Sequence, residues 1–281
     1  MIARYLSEPF SAGYMQRALA IVLLLALVSG VVGVVVQLRR LTFVADAMTH
    51  TVFPGIAVAF FTGHSLFLGA LVASAVSAVL LTLATRSSRV DDDAFLALLL
   101  ASFFSVGVIV VSRNRTYTAD LTALLFGRVL TVTSGEIVQS ACVVGIALAV
   151  LWLLRKELLL RAFDETAARS MGYPVGWLDL ALNVVVALVV VASIRAVGTA
   201  LVVALVITPA ATARLLCRRI GPMIGVAVVI AAVSGWIGLV ISYDASVHHD
   251  VRLAAGATIV VILTAIFGVV ATTRAVRGAS R

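Results

Sequence analysis

The feature that most constrains the fold of this chain is a succession of long apolar segments. Residues 18–38 contain no charged side chain, and about 20 consecutive apolar residues are enough for a helix to cross the hydrocarbon core of a bilayer. Similar segments recur along the whole chain. The predicted spans are residues 18–38, 43–61, 66–85, 94–112, 137–154, 175–194, 196–213, 221–243 and 253–273. We therefore predict an all-α polytopic membrane protein with eight to nine transmembrane helices.

The composition agrees with a membrane protein and excludes several other classes. Hydrophobic residues make up 62% of the 281 residues and charged residues 12%, against about 45–50% and 25% in soluble domains. This balance excludes an ordinary cytosolic enzyme, a disordered chain and a disulfide scaffold. The net charge of +8 is explained by arginines in the loops, which determine the orientation of the chain in the lipid membrane. No basic stripe with exposed aromatic residues indicates a nucleic-acid partner.

The number of spans and the side of the N-terminus depend on two weak points in the pattern. Asp46 and His50 interrupt the second span, and only Arg195 separates residues 175–194 from residues 196–213. With nine spans and residues 155–173 in the cytoplasm, fourteen basic residues lie inside and seven outside, which is the bias expected of membrane proteins. The N-terminus then lies outside. One span fewer before residue 155 would place it inside.

Two connecting segments are too structured to be plain loops. Residues 116–130 hold a short apolar piece that Gly127 closes, so we predict a re-entrant or interfacial helix there. Residues 155–174 form the largest polar excursion of the chain. Within it, Asp164 and Glu165 open a short helix that Gly172 ends, with the acidic side chains first, as the helix dipole favours. We predict that this amphipathic segment lies on the cytoplasmic face.

The strongest candidate site is the pair Asp46 and His50 inside the second span. Positions four residues apart lie on the same helix face, and an ionisable side chain at bilayer depth costs from ~2.5 to more than 10 kcal/mol. A carboxylate and an imidazole one turn apart can ligate a divalent cation such as manganese, zinc or iron. The alternative is that the two side chains hydrogen-bond to each other or across helices as packing groups. Pro54 and Gly55 follow one turn later and predict a kink or a gate.

Weaker candidates lie elsewhere in the chain. Asp244, His248, His249 and Asp250 precede the last span on the predicted outer side, and His249 and Asp250 are possible metal ligands of an entry site. A plain exposed loop explains the same residues equally well. Pro209, inside the seventh span, predicts a kink that either hinges a gate or bends the helix. The G-x-x-x-x-G-K-[ST] loop is absent, so the chain cannot bind ATP by that route.

Several separated blocks of the sequence resemble the manganese/zinc-type (ABC-3) metal ABC transporter permeases. The signature block is FVADAMTHTVFPGIA over residues 43–57. The similarity runs from about residue 15 to residue 272. The other matching blocks are Asp120-Leu121 with Leu125-Phe126-Gly127, Phe163–Ala167 with Met171-Gly172, residues 196–214 and residues 256–260.

The resemblance implies a single permease domain over residues 1–281 with the arrangement of a type II (vitamin B12-importer-like) ABC importer. It implies four kinds of partner: a cytoplasmic ATP-binding subunit, an extracytoplasmic metal-binding protein, a second permease copy or paralogue, and membrane lipid. Asp46 and His50 fall on the family's intramembrane metal-coordinating pair. The family's ATPase-coupling helix falls on the segment that contains Asp164, Glu165, Ala168 and Gly172. No permanently bound cofactor is implied, only the transported Mn²⁺, Zn²⁺ or Fe²⁺.

The chain departs from the family pattern over residues 244–255. Many relatives carry one carboxylate before a proline-containing approach to Gly-Ala, whereas here HHDVRLAA precedes Gly256 without a proline. Either Asp250 is the displaced counterpart of that carboxylate or Arg252 fills the position.

The function we predict is the permease subunit of an ATP-driven importer of divalent transition metals in the bacterial cell membrane, with ATP hydrolysed on another chain. One alternative is a self-sufficient secondary metal transporter or channel that uses Asp46 and His50 as a relay. The other is an intramembrane enzyme with the same pair as acid and base.

Overall fold

The computed structural model describes residues 8–84, 92–112, 127–248 and 253–279, and within these ranges the chain is helical with no strand. Two short 3-10 turns, Glu8–Ser11 and Val129–Thr131, accompany eleven α-helices. In chain order the helices are α1 (Gly13–Leu38), α2 (Thr42–Thr51), α3 (Phe53–Thr62), α4 (Leu66–Ala84), α5 (Asp92–Ser112), α6 (Ser134–Leu153), α7 (Arg155–Phe163), α8 (Glu165–Ser170), α9 (Val175–Leu216), α10 (Ile220–His248) and α11 (Ala255–Ala279).

Nine helical segments of these described ranges are long and apolar enough to cross a membrane, so the prediction of eight to nine spans becomes nine candidates. Helices α2 and α3 together form one span, and α9 contains two. The predicted ends lie within about five residues of the observed ones. The nine segments are Gly13–Leu38, Thr42–Thr62, Leu66–Leu83, Ala94–Ser112, Ser134–Leu153, Val175–Ile194, Ala196–Leu216, Ile220–His248 and Ala255–Arg277.

Helix α1 lies at the centre of the bundle, where it packs against α9, α10 and α6. Its glycines allow this contact, since a methyl group at Gly30 would collide with Val228 of α10 and one at Gly33 would collide with the Val206 carbonyl of α9. Close approach of backbones through small residues is how membrane helices gain van der Waals contact, because lipid offers no hydrophobic driving force between helices.

Helix α9 is interrupted at Gly198, which separates its two spans. Its 42 residues would extend about 63 Å as one helix, roughly twice the thickness of the hydrocarbon core. At Gly198 the backbone leaves helical geometry, with φ 78° and ψ 165°. Gly127 (φ 71°) lies directly against this point, and the Arg128 N–H donates to the Ala196 carbonyl at 3.1 Å.

The polar contacts sort to the two ends of the bundle in the way the predicted topology requires. On the predicted outer side, Arg17 donates to the Val132 carbonyl at 3.1 Å and the Ser242 hydroxyl to the Leu253 carbonyl at 3.0 Å. On the predicted cytoplasmic side, Arg214 donates to the Gln37 carbonyl at 3.3 Å and Arg274 to the Leu216 carbonyl at 3.4 Å. Helices α7 and α8 lie on this second side.

Candidate metal pathway and coupling segment

Asp46 and His50 lie on α2, a ten-residue helix that starts directly after the end of α1. Helix α1 ends with the Leu41 N–H bonded to the Val36 carbonyl and the Arg40 N–H bonded to the Gln37 carbonyl, a closure that commonly requires a left-handed residue. Arg40 occupies that left-handed position with φ 56°. The chain re-enters helix at Thr42, which brings Asp46 into the second turn of α2.

Both candidate ligands are half-buried and have no polar partner in the described part of the chain. No hydrogen bond or ion pair joins the Asp46 carboxylate or the His50 imidazole to each other or to another described residue. The His50 ring stands edge-on to Phe104 of α5, with ring centroids 6.4 Å apart. The expected bond of the packing alternative is therefore not found among these residues.

The neighbouring residues of α2 point away from this polar face. Met48, Thr49 and Thr51 are buried in the protein interior. The Thr49 hydroxyl donates to the Asp46 carbonyl at 2.7 Å and the Thr51 hydroxyl to the Met48 carbonyl at 3.1 Å. These hydroxyls are satisfied by their own helix, so Asp46 and His50 are the ligand candidates that α2 offers.

Pro54 and Gly55 lie at the start of α3, immediately after the break between α2 and α3 at Val52. Pro54 occupies the first turn of α3, where its missing N–H has no intrahelical partner to lose. Gly55 has a packing role, because a methyl group there would collide with the Gly69 carbonyl and with Ala73 of α4. The break thus precedes the two predicted residues, and their function as a gate stays a prediction.

Pro209 lies within the second span of α9, where the backbone is helical. The departure from helical geometry in this helix falls at Gly198 instead. A proline can kink a helix through its own missing N–H. The break at Gly198, by contrast, is packed against Gly127, which is distant in sequence. The structure therefore locates the main interruption of α9 at a residue that was not among the predicted kink positions.

The outer cluster is described only in part. The His248 imidazole Nδ1 lies 3.0 Å from the Asp244 carboxylate, one helical turn apart at the end of α10. His249 and Asp250 lie outside the described residues, as does most of the predicted re-entrant segment at 116–130. Among the residues that the structure describes, no group of three or more histidine, cysteine and carboxylate side chains could hold a metal ion.

The predicted coupling segment forms a short helix with a defined start and end. The Asp164 carboxylate accepts from the Ala167 N–H at 2.8 Å, which caps the first turn of α8. At the other end Gly172 has φ 81°, and the Tyr173 N–H bonds to the Ala168 carbonyl at 3.1 Å, which closes the helix as glycine commonly does.

The four predicted coupling residues differ in what they expose. Ala168 is fully buried, so its side chain holds α8 against the rest of the protein and cannot itself contact a partner. Asp164 and Gly172 are exposed, and the Glu165 side chain is 40% exposed. These three form the surface of α8 that another chain could reach.

An ion-pair chain connects α8 to the membrane helices. Glu165 binds Arg169 at 2.7 Å and Arg161 at 2.6 Å. Arg161 also lies 3.3 Å from Asp179, which binds Arg39 at 2.6 Å. We call these five residues the arginine–carboxylate cluster.

Asp179 has no place among the predicted site residues, although it is a carboxylate five residues into the first span of α9. A charged residue near the end of an apolar segment is a sequence signal by which Asp179 could have been chosen as a candidate. Its partner Arg39 is 140 positions away in sequence, and no local pattern reveals that contact.

Nine candidate spans among the described residues, an ionisable pair on one of them and a helical segment at one end of the bundle are typical of a membrane transport subunit. The matches to known proteins give its family. A profile described as the ABC 3 transport family matches residues 11–274, and the chain belongs to this family. It is a multi-pass protein of the bacterial cell membrane, and the predicted family, fold class and location are confirmed.

Relatives of known name agree in sequence and in structure. The manganese transport system membrane protein MntC of Listeria innocua is 34% identical over 255 residues, which is 91% of this chain and 89% of that protein. The chelated iron transport system membrane protein YfeD of Yersinia pestis is 34% identical over 273 residues, 96% and 89% of the two chains. The structure of PsaBC from Streptococcus pneumoniae in complex with Fab superposes with a TM-score of 0.82 at 32% identity, covering 96% and 95%.

Proposed function

We propose that this chain is the permease subunit of an ATP-driven importer of divalent transition metal ions, and that Asp46 and His50 hold the ion in transit. The observation that carries the proposal is the pair itself. Two ionisable side chains share one face of a membrane helix, and nothing in the described residues pairs with them. Relatives named for manganese and for chelated iron transport support this class of substrate.

The physical argument rests on the cost of an uncompensated polar group inside a membrane. A buried carboxylate without a partner costs several kcal/mol, and membrane proteins keep such groups where they contact substrate or ions. A divalent cation compensates that cost while it is bound. Two ligands from one chain form an incomplete coordination shell, which suits transport because the ion must also leave.

The nature of the ligands limits the metal. Carboxylate oxygen and imidazole nitrogen accept Mn²⁺, Fe²⁺ and Zn²⁺. The buried position of Met48 keeps its thioether away from the polar face of α2, which argues against a soft-metal site for Cu(I). Manganese and iron are the substrates that the names of the relatives support most directly.

A second permease copy or a paralogue is part of the proposal. Asp46 and His50 are only half-buried in the single chain, and a charged face cannot lie against lipid without a large penalty. A partner subunit that covers this face would exclude lipid from the pair, and it could supply further ligands.

We propose that the arginine–carboxylate cluster couples the ATP-binding subunit to the metal site. An ATP-binding subunit that engages α8 on the cytoplasmic side would pull on Glu165 and, through Arg161, on Asp179. Asp179 binds Arg39 at 2.6 Å, and Arg39 caps α1 three residues before α2 begins. Movement of α8 can therefore reach the helix that carries Asp46 and His50. An extracytoplasmic metal-binding protein would deliver the ion at the opposite end.

Reconstitution into proteoliposomes tests this function. We expect Mn²⁺ uptake only when the cytoplasmic ATP-binding subunit and ATP are both present, and faster uptake when the metal-binding protein is supplied at the outer face. The matched control is the same complex with ATP replaced by a non-hydrolysable analogue. Full uptake by the isolated permease under an ion gradient would contradict the proposal and identify a secondary transporter or channel.

A further inference from the structure

A large cavity opens at the cytoplasmic end of the bundle, beside the coupling segment. Its volume is about 1320 Å³, and it lies between the end of α1, helices α7 and α8, and the start of α9. Two carboxylates, Glu165 and Asp179, face five guanidinium groups along its walls. These five are Arg39, Arg40, Arg161, Arg169 and Arg214. The described walls therefore carry three more positive charges than negative ones.

Both carboxylates are ion-paired within the cluster. Asp179 receives Arg39 on one oxygen and Arg161 on the other. Glu165 receives Arg161 on one oxygen and Arg169 on the other. Each of the four carboxylate oxygens thus has a guanidinium partner, and no ion pair among the described residues joins either carboxylate to Arg40 or Arg214.

Two guanidinium nitrogens beside the cavity have no partner. Arg39 Nη1 and Arg161 Nε are buried and have no hydrogen-bond acceptor in the described structure, and the Arg39 side chain is only 8% exposed. Glu157 Oε2, one turn before Arg161 on α7, is buried without a partner as well. The donors that an occupant of the cavity can reach are therefore those of the exposed Arg40, Arg169 and Arg214.

Arg40 brings an exposed positive charge to the cavity. It holds the left-handed conformation at the end of α1, with φ 56°, where glycine would be free of steric cost and other residues pay roughly 1–2 kcal/mol. Its side chain lines the cavity and is exposed. No ion pair among the described residues uses this charge.

Exposed aromatic side chains surround the cavity, as is typical of the membrane interface. Trp177 and Phe163 line it, and each is 68% exposed. Tyr173 lies beside them and is 39% exposed. Exposed tryptophan and tyrosine at a helix end typify the membrane interface.

We propose that this cavity binds the phosphate group of an anionic phospholipid from the cytoplasmic leaflet. Guanidinium groups bind phosphate oxygens with paired, charge-assisted hydrogen bonds, and basic pockets between membrane helices on the cytoplasmic side are suited to lipid headgroups. Free phosphate shares this chemistry, but the exposed aromatic walls favour an occupant that brings acyl chains. The site is separate from the Asp46–His50 pair, so it can fail while the transport proposal stands.

The test compares lipid binding by the purified full-length transporter complex in detergent, measured by native mass spectrometry. Phosphatidylglycerol is titrated against zwitterionic phosphatidylcholine. The test variants are Arg40→Gly, which removes charge and relieves the left-handed strain, Arg214→Gln, which keeps a donor for the Gln37 carbonyl, and their combination. The matched control is Arg274→Gln. Like Arg214, Arg274 is exposed and donates to a backbone carbonyl on the same side, but it does not line the cavity.

We expect the native complex to prefer phosphatidylglycerol. An arginine near an anionic headgroup contributes roughly a fivefold gain in affinity, so each single variant should lose about fivefold and the double variant about 25-fold of that preference. Arg274→Gln should change it little. Thermal unfolding of each variant checks that the fold is retained.

Three results would overturn the proposal. The first is equal binding of the two lipids by the native complex, as expected if an acidic side chain of the ATP-binding subunit fills the cavity. The second is an equal loss of preference in Arg274→Gln, which would indicate a general surface-charge effect. The third is binding of added inorganic phosphate that Arg40→Gly and Arg214→Gln abolish while phosphatidylglycerol binding is unaffected by them, which would identify a free-anion site.

Discussion

Asp46 and Asp179 are two carboxylates of the same membrane protein that differ in their bonding partners. Asp179 lies near the predicted cytoplasmic end of its span and binds Arg39 at 2.6 Å and Arg161 at 3.3 Å. Asp46 lies on a half-buried face of α2, and no described residue bonds to its carboxylate. A carboxylate with two protein partners contributes to the fold, whereas one without partners is available to a passing ion. On our proposal, this difference separates a charge that the fold holds from one that the transported ion contacts.

The largest expected effect concerns the imidazole of the unpaired site. His50→Gln should lower Mn²⁺ uptake by about 100-fold or more, since even residues that only support a metal ligand typically contribute 10–100-fold to affinity. The measurement is initial uptake rate per assembled complex in proteoliposomes. His64→Gln is the matched control, because His64 is an exposed histidine in the turn after α3. An equal loss of Mn²⁺ uptake in both variants would contradict the assignment of His50 as a metal ligand, because the exposed His64 would then matter as much.

Besides any loss of coupling, substitution of the paired carboxylate should lower stability. Asp179→Asn leaves Arg39 and Arg161 without their charged partner, and we expect a destabilisation of about 2–3 kcal/mol, seen as a lower thermal unfolding midpoint of the solubilised complex. Asp46→Asn loses no hydrogen bond or ion pair to a described residue, so its midpoint should not fall. A midpoint for Asp46→Asn as low as that of Asp179→Asn would indicate that Asp46 also has a structural partner.

A smaller effect is expected where packing holds the helix next to the unpaired site. Gly55→Ala forces a methyl group into the Gly69 carbonyl and Ala73, so the thermal midpoint should fall by the equivalent of about 1–3 kcal/mol. Gly135→Ala in the first turn of α6 is the control, since a methyl group there meets nothing within 4 Å. Similar midpoints for both variants would show that the α3–α4 contact is loose.

The smallest effect tests the end of the coupling helix. Gly172 has φ 81° and open space around it, so Gly172→Ala introduces backbone strain of roughly 1 kcal/mol without a clash. We expect a severalfold drop in metal-stimulated ATP hydrolysis by the assembled transporter. Gly172→Asn should retain more activity because asparagine tolerates the left-handed conformation. Equal activity of the two variants would mean that this backbone conformation does not matter for coupling.

Much of the fold could be predicted from the sequence because membrane spans are encoded locally. Residues 175–194 were predicted as a span with the bounds that the structure shows, since about 20 apolar residues suffice to identify one. The short helix after Asp164 could also be predicted from the sequence, because its capping residue and its terminal glycine lie close together in the chain. Asp46 and His50 stand out for the same reason: they are four residues apart in an apolar setting.

The remaining features depend on contacts between distant parts of the chain. Arg195 marks a boundary between two spans, but the sequence does not place the break at Gly198, where the chain is packed against Gly127. The Arg39–Asp179 pair joins two helices 140 positions apart. The arginine-lined cavity appears only once separate segments are brought together in space.

The most direct test of the central claim is Mn²⁺ uptake by the Asp46→Asn transporter, measured with equal amounts of assembled complex and with ATP present. Our account predicts that uptake is lost while membrane insertion, assembly with the ATP-binding subunit and thermal midpoint remain those of the native complex. Native rates of uptake by Asp46→Asn would contradict the account, because the ion would then cross the membrane without the carboxylate that no described residue pairs with.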